Sequence, residues 1–382
     1  MPATTFDIAI VGAGAAGLQL ALALQGDLFF KNKKILLLEK DAKDQNDRTW
    51  CFWEKGEGRW DHLLRQSWAH GDFFSEKKAR SLDLQPYRYK MLPALAFYNF
   101  AKKEVIDAVN FTWINDEVLS IENGSPIRIN CGQQRYEAEH VFDSRIPEDF
   151  FQKNDRCTRL LQHFKGWFVR TPDDRFDPDR FTMMDYRLRW NDTTSFTYVL
   201  PLSRREALVE FTLFSPELLK NDDYDLMLRR YFDEILKISE FEILEEEQGV
   251  IPMSDFPFEK YSQGRHVRIG TAGGWVKPSS GYSFKNCERK VWRIVENLKA
   301  GKPAGQGLIS PKFRLYDSIF LDVLNRRNDF GPALFEMMYF NNDIQKIFAF
   351  LDDETSLADD LGIITGFPQL LFLKSVFNLL AR

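Results

Sequence analysis

One stretch near the amino terminus restricts this chain more than any other. Phe6 to Val11 (Phe-Asp-Ile-Ala-Ile-Val) is a short apolar, β-branched run. It ends in Gly12-Ala13-Gly14-Ala15-Ala16-Gly17, and Leu18 to Leu24 then continues in Leu and Ala. A strand, a G-x-G-x-x-G turn and a helix in that order form the dinucleotide fingerprint. Gly12 permits the tight turn, Gly14 and its neighbour Ala13 let a pyrophosphate approach the backbone, and Gly17 lets helix and strand pack closely. The helix start adds free N–H groups and a partial positive charge. A second apolar run, Ile35 to Leu38, stops at Glu39 and Lys40. Glu39 lies 22 residues beyond Gly17 (39 − 17), close to the ~20 expected of an acid that binds a ribose 2′-hydroxyl. The pattern predicts a bound adenine dinucleotide. The acid disfavours a 2′-phosphate, so FAD or NAD is expected rather than NADP.

The rest of the chain does not continue as regular βα alternation. At 382 residues it is long enough for roughly two to three domain-sized units. The 51 Lys+Arg stand against 56 Asp+Glu, a net charge of −5, which argues against a nucleic-acid binder. Cys51, Cys131, Cys157 and Cys287 are scattered, as in a reduced intracellular protein rather than a disulfide or zinc framework. The five histidines lack metal-ligand spacing, so no metal is expected. Met1 to Thr5 shows no basic start and no run reaches ~18 uncharged apolar residues, so the chain is expected in the cytoplasm without a spanning helix. The 34 Phe, 9 Trp and 12 Tyr indicate a large aromatic core or an apolar cavity.

Further along, Arg48-Thr49-Trp50-Cys51-Phe52-Trp53 follows a polar segment and either lies against the cofactor or plugs the core. Arg135 to Arg145 looks like a strand closing the nucleotide unit. Short alternating runs between Phe150 and Pro252, among them Ser195 to Leu202 and Arg205 to Leu213, predict an antiparallel sheet with one covered face. Ser215 to Gly249 looks helical, with Glu245-Glu246-Glu247 as a solvated face. Val267 to Trp275 is a strand ending in Gly273 and Gly274. It leads through Pro278, Gly281 and Tyr282 into a helical run, a backbone suited to returning to the cofactor. Ser310 to Arg382 has helical periodicity. Its last part, Thr365 to Arg382, carries only Lys374 and Arg382 as charges, which suits a helix at a membrane interface or one docked on the body.

Taken together, Arg48 to Trp53, Gln162-His163-Phe164-Lys165-Gly166-Trp167, Phe176-Asp177-Pro178 with Met184 to Arg187, Val199 to Leu202 and Pro278 to Ser283 resemble the flavin-dependent lycopene cyclases, the bacterial lycopene β-cyclases in particular. The resemblance runs from Asp7 to about Phe284. The family's acidic motif is present as Val209-Glu210-Phe211-Thr212, with Glu210 at the position the family uses as its acid/base and Phe211 where a second acid is usual. The resemblance implies an α/β fold of the flavoprotein hydroxylase/reductase superfamily: a Rossmann-type FAD-binding domain (1–80, 101–150 and 262–305), an antiparallel β-sheet substrate domain (81–100 and 151–261) and a C-terminal helical region (306–382). It implies reduced FAD with NADPH or NADH as electron donor, and Gly12, Ala13, Gly14, Gly17, Glu39, Lys40, Arg48, Thr49, Gly273, Gly274, Pro278, Gly281 and Tyr282 as cofactor contacts.

The implied reaction converts each ψ-end of lycopene, taken from a membrane surface, into a β-ring without net redox change. Such chemistry needs a carboxylic acid kept neutral by burial, charge to hold a carbocation, aromatic faces and exclusion of water. A flavin monooxygenase, a prenyl reductase and a carotenoid carrier are the competing readings.

Overall fold

A computed structural model describes residues 4–152 and 156–381. Its first sheet is built on the predicted strand–turn–helix. Strands run in the order Phe111–Asn115, Ile35–Glu39, Thr4–Val11, Arg135–Asp143, Ile127–Cys131, Val118–Glu122, with His266–Arg268 added beside Arg135–Asp143. The strands from Phe111–Asn115 to Arg135–Asp143, and His266–Arg268, are parallel. Ile35–Glu39 is buried along its whole length, as expected of a parallel strand covered on both faces. The helices Ala15–Gln25 and Phe284–Lys299 share one apolar cluster with this sheet.

The second sheet has the order Glu242–Ser254, Arg159–Arg170, Glu206–Ser215, Thr194–Pro201, Arg180–Asp185, His70–Phe74, Ala79–Asp83. All of its pairings are antiparallel except that between Arg180–Asp185 and His70–Phe74. It is covered on both faces, not one. Trp167, Val209, Phe211 and Leu213 pack under the helix Asn221–Arg230 and the π-helical turn Tyr231–Leu236. Phe196, Tyr198 and Phe214 pack under the C-terminal helices. This double cover makes Thr194–Pro201 buried at every position, which weakens the two-residue alternation.

Three sequence expectations shift. Residues 70–80 hydrogen-bond into the second sheet, so they stand with that sheet's unit rather than the first. The helix Ala94–Ile106 buries Phe97, Tyr98 and Ala101 in the first sheet's apolar cluster, so 94–100 belongs there. Most plainly, Glu242–Ser254 is a strand, not the end of a helix. Glu favours helices only weakly, and pairing along the whole of Arg159–Arg170 overrides that preference. The acids suit it because it is the sheet's edge.

Thr49–Lys55, Tyr87–Pro93 and Gln66–Trp68 form a small third sheet between the units. After Ser310 come the helices Pro311–Arg326, Gly331–Asn341, Ile344–Leu351, Leu357–Ile364 and Gln369–Leu380. Phe335 anchors them to the second sheet, its ring 6.0 Å from that of Phe214 and 6.1 Å from that of Tyr186.

Candidate active site

In an antiparallel sheet, residues directly opposite one another point to the same face. Tyr198 pairs with Glu210, Glu210 with Gly166, and Gly166 with Glu247. The second sheet therefore carries a row Tyr198–Glu210–Gly166–Glu247 across four strands, facing the small third sheet and the loop before Phe284. The row above it, Phe196–Thr212–Phe164–Gly249, points the same way. Phe211 lies one residue out of phase and is fully buried on the opposite face. An acid at the family's second position would therefore point away from Glu210.

Glu210 and Glu247 line one cavity with Thr49, Cys51, Tyr89, Tyr198, Gln162, Ser280, Gly281 and Tyr282. Thr212 Oγ1 donates to Glu210 Oε1 at 2.8 Å, and Thr49 Oγ1 donates to Glu247 Oε2 at 2.6 Å. Burial pushes the Glu210 carboxyl well above its ordinary range, and the negative charge of Glu247 pushes it further, against the hydrogen bond from Thr212. Glu247 is also raised by burial, with hydrogen bonds from Thr49 and Glu210 pulling the other way. Tyr89 and Tyr282 share a hydrogen bond of 3.1 Å between hydroxyls. Burial raises both of them, Tyr198 and the Cys51 thiol, so these neighbours stay neutral. The result is a carboxylic acid that holds its proton more tightly than an exposed one, among buried neutral neighbours.

The predicted cofactor residues form two groups. Gly12 has φ +96°, and a Cβ on Gly17 would overlap the Gly12 carbonyl, so helix and strand meet only because position 17 is Gly. A Cβ on Gly14 would meet nothing within 4 Å, which leaves the turn open to a ligand. The Glu39 carboxylate accepts the Ala13 N–H at 2.5 Å and the Asp41 N–H at 2.9 Å. The late loop closes on the same helix: Gln19 Nε2 donates to the Phe284 carbonyl at 3.3 Å, and Gly270, Gly274 and Gly281 all have positive φ. Thr49, Gly281 and Tyr282 reach the carboxyl cavity. Pro278 is half-buried in that loop and Gly273 is buried. Lys40 and Arg48 are not drawn in: Lys40 is exposed beside Glu117 at 3.4 Å, and the Arg48 side chain is exposed.

Gln162 Oε1 and Ser280 Oγ are buried without a hydrogen-bond partner, and their residues line the cavity. The open turn, the ribose-type acid and these unpaired polar atoms fit a flavin dinucleotide. The Trp-rich stretch divides between a cavity wall and the core. Trp50 faces this cavity, whereas Trp53 plugs the core, stacked on Phe348 at 4.4 Å with its Nε1 donating to Asp352. His163 lies on the other face of the sheet, between Ser215 Oγ (2.8 Å) and Tyr224 OH (2.5 Å), and burial lowers it to about 4. It is a satisfied core histidine.

Sequence reasoning missed Glu247, because a run of three acids looks like a solvated helix. The signal available was the β-branched pair Val250-Ile251 that follows, which favours a strand.

A second cavity, of about 300 Å³, adjoins the first and shares Tyr198, Ser280 and Tyr282 with it. Its walls are Met183, Phe214, Phe320, Phe335, Met338 and Phe372, and its far side is formed by Leu361, Ile364, Leu373 and Val376 of the last two helices. Gln369–Leu380 docks through Ser375, whose Oγ donates to the Ile319 carbonyl at 3.1 Å. Leu370, Leu373, Phe377 and Leu380 recur at three- and seven-residue spacing on its outer face and are 85%, 52%, 69% and 78% exposed. Among the described residues no single helix is long and apolar enough to cross a bilayer, and the last two meet at 115°.

The sequence profile of the family described as lycopene cyclase protein matches residues 7–377. No protein of curated function matches the chain. Among solved structures, a geranylgeranyl bacteriochlorophyll reductase-like protein from Thermoplasma acidophilum superposes with a TM-score of 0.61 at 13% identity, covering 98% of this chain and 99% of its own. The flavin-dependent brominase Bmp2 gives 0.60 at 14% identity, with 91% and 93% covered. A probable FAD-dependent monooxygenase from Pseudomonas aeruginosa gives 0.55 at 11% identity, with 92% and 100% covered. At these identities the likeness is one of fold: a Rossmann-type flavoprotein with a sheet domain and C-terminal helices.

Proposed function

The chain belongs to the lycopene cyclase family, and from that premise we propose that it is a lycopene β-cyclase, an isomerase that closes the ψ-end groups of lycopene into β-rings to give γ-carotene and β-carotene. The observation that carries this reading is the placement of Glu210. Its carboxyl, pushed toward the protonated form by burial, lines the cavity that the late loop reaches, next to the apolar cavity.

FAD would be held by the Gly12–Gly17 turn, by Glu39 and by the late loop up to Tyr282, with NADPH or NADH supplying its electrons. In reduced form it would supply negative charge that stabilises a carbocation. The protein residues do the rest. Met183, Phe214, Phe335 and Phe372 take the hydrocarbon and exclude the water that would otherwise capture a cation as an alcohol. Tyr198 and Tyr282 stand where the two cavities meet, and their ring faces suit a carbocation at about 0.5–2 kcal/mol each. Glu210 gives its proton to the terminal alkene, and the carboxylate left behind accepts the proton that the closed ring releases. Nothing is oxidised overall.

Lycopene is insoluble in water, so it must come from a bilayer. The apolar outer face of Gln369–Leu380 borders the hydrocarbon cavity, which supports peripheral attachment at the cytoplasmic membrane surface.

An anaerobic assay tests the proposal: lycopene in liposomes, FAD and NADPH, with products separated by chromatography. A product of unchanged mass bearing β-rings is expected, and Glu210→Gln should lose it while keeping flavin. In a parallel run with air admitted, a product heavier by oxygen would make the protein a monooxygenase, and in either run one heavier by hydrogen would make it a prenyl reductase. Undiminished turnover in Glu210→Gln would remove Glu210 from the mechanism.

A further inference from the structure

We propose that Glu247 is a positioning residue for Glu210: the two side chains share a single proton across Gly166, with Glu210 holding it and Glu247 carrying the charge. This rests on the cyclase reading for its catalytic meaning but not for its chemistry.

The geometry comes from the sheet. Glu210 and Glu247 sit two strands apart, roughly 9–10 Å between backbones, on the same face and opposite the same residue. They can lean together only if that residue has no side chain. Gly166 meets this condition: a Cβ there would lie 2.8 Å from Leu208 Cδ1 and 3.3 Å from Glu210 Cβ. Both acids line one cavity, and each has its own threonine donor, Thr212 for Glu210 and Thr49 for Glu247. The carboxylate missing at Phe211 is thus supplied from another strand, on the side of the sheet where it can act.

Two carboxylates this close in a dry site cannot both ionise. The surroundings decide which keeps the proton. Glu210 faces neutral neighbours: Tyr198 beside it in the sheet, Tyr89 and Cys51 from the small sheet, and Tyr282 from the late loop. Glu247 stands on the edge strand with the closer donor, Thr49 at 2.6 Å against Thr212 at 2.8 Å for Glu210, and Arg65 offsets part of the opposing charge of Glu245 two residues away. The charge therefore settles on Glu247. In turnover, the Glu210 O–H bond breaks as a C–H bond forms on the substrate, and the ring C–H proton later returns to the pair. The charge of Glu247 keeps Glu210 loaded between cycles and makes the emptied pair a stronger base for the closing step.

The test is a pH titration of the full-length, FAD-loaded protein. The protonated-carboxyl infrared band is followed without substrate, and initial rates are followed on lycopene vesicles. In the parent, the band and the rate should be lost together on an alkaline limb. Glu247→Gln, which removes the like charge without changing shape, should move both limbs down by at least one pH unit. Thr49→Val, which removes the donor to Glu247, should move them up. A limb unmoved by Glu247→Gln overturns the proposal, as does a downward move in Thr49→Val. Because the infrared titration needs no turnover, it decides the shared proton even if the parent cyclises nothing, an outcome that would overturn only the cyclase reading.

Discussion

Replacing Leu370, Leu373, Phe377 and Leu380 together by Gln tests the membrane attachment directly. Gln is a good helix former, so Gln369–Leu380 should remain a helix while its outer face turns polar. Full burial of one such apolar side chain contributes roughly 1.5–3 kcal/mol. Weighted by exposures of 85%, 52%, 69% and 78%, the face offers about 4 kcal/mol at the low end of that range. The low end is the appropriate one, because an interfacial helix sinks only partway into the acyl region. About 4 kcal/mol corresponds to roughly a thousandfold in partitioning, and Leu370→Gln alone to roughly tenfold. Co-sedimentation with phosphatidylcholine vesicles measures it, and raising the salt should change little because the contact is apolar. The thermal midpoint without lipid should stay near that of the parent, since Leu370, Phe377 and Leu380 already face water and Leu373, which also borders the hydrocarbon cavity, is half-exposed. A quadruple variant that sediments like the parent refutes the reasoning.

Glu210→Gln should cut cyclisation by about 10²–10⁴-fold and should also change how stability depends on pH. The folded-state pKa of Glu210 is raised above its ordinary 4.5, so the parent loses stability as pH rises from there toward the folded value. The variant should therefore melt higher than the parent at pH 8, the gap closing below pH 4.5. Equal melting curves across that range would mean the carboxyl is not held neutral. Asp143, fully buried, accepts from Arg145 (2.9 Å), Arg268 (2.7 Å) and His266 (3.3 Å). Burial raises it, but these partners bring it down to about 2. Asp143→Ala should cost about 3–5 kcal/mol in urea unfolding, and the variant should lack the part of the parent's stability that is lost as pH falls from 3.8 to about 2. Gly17→Ala should force the first helix off its strand, costing about 1–3 kcal/mol, and should release FAD on gel filtration.

The nucleotide half of the protein was legible because its signals are local. Turn glycines, the strand before them, the helix after them and Glu39 lie close together in the chain, and each residue type answers to backbone geometry or hydrogen bonding in its own neighbourhood. Glu210 was legible through a short motif, although its burial was not: alternation in Glu206–Ser215 shows which residues share a face, but not what covers that face. Arg205 to Leu213 and Ser195 to Leu202 were correctly read as strands; Glu242–Ser254 was not, because helix preference worth tenths of a kcal/mol in Glu245–Glu247 is outweighed by a full ladder of hydrogen bonds to Arg159–Arg170.

The chain alone therefore determined a dinucleotide turn, a sheet-borne acid and an apolar tail. Only the tertiary structure decided that Glu210 meets Glu247 above Gly166, that Phe211 turns away from both, and that the tail borders the hydrocarbon cavity. Pairing across strands joins residues far apart in sequence and sorts neighbours onto opposite faces, so the partner of a carboxyl group is set by register, which no local pattern encodes.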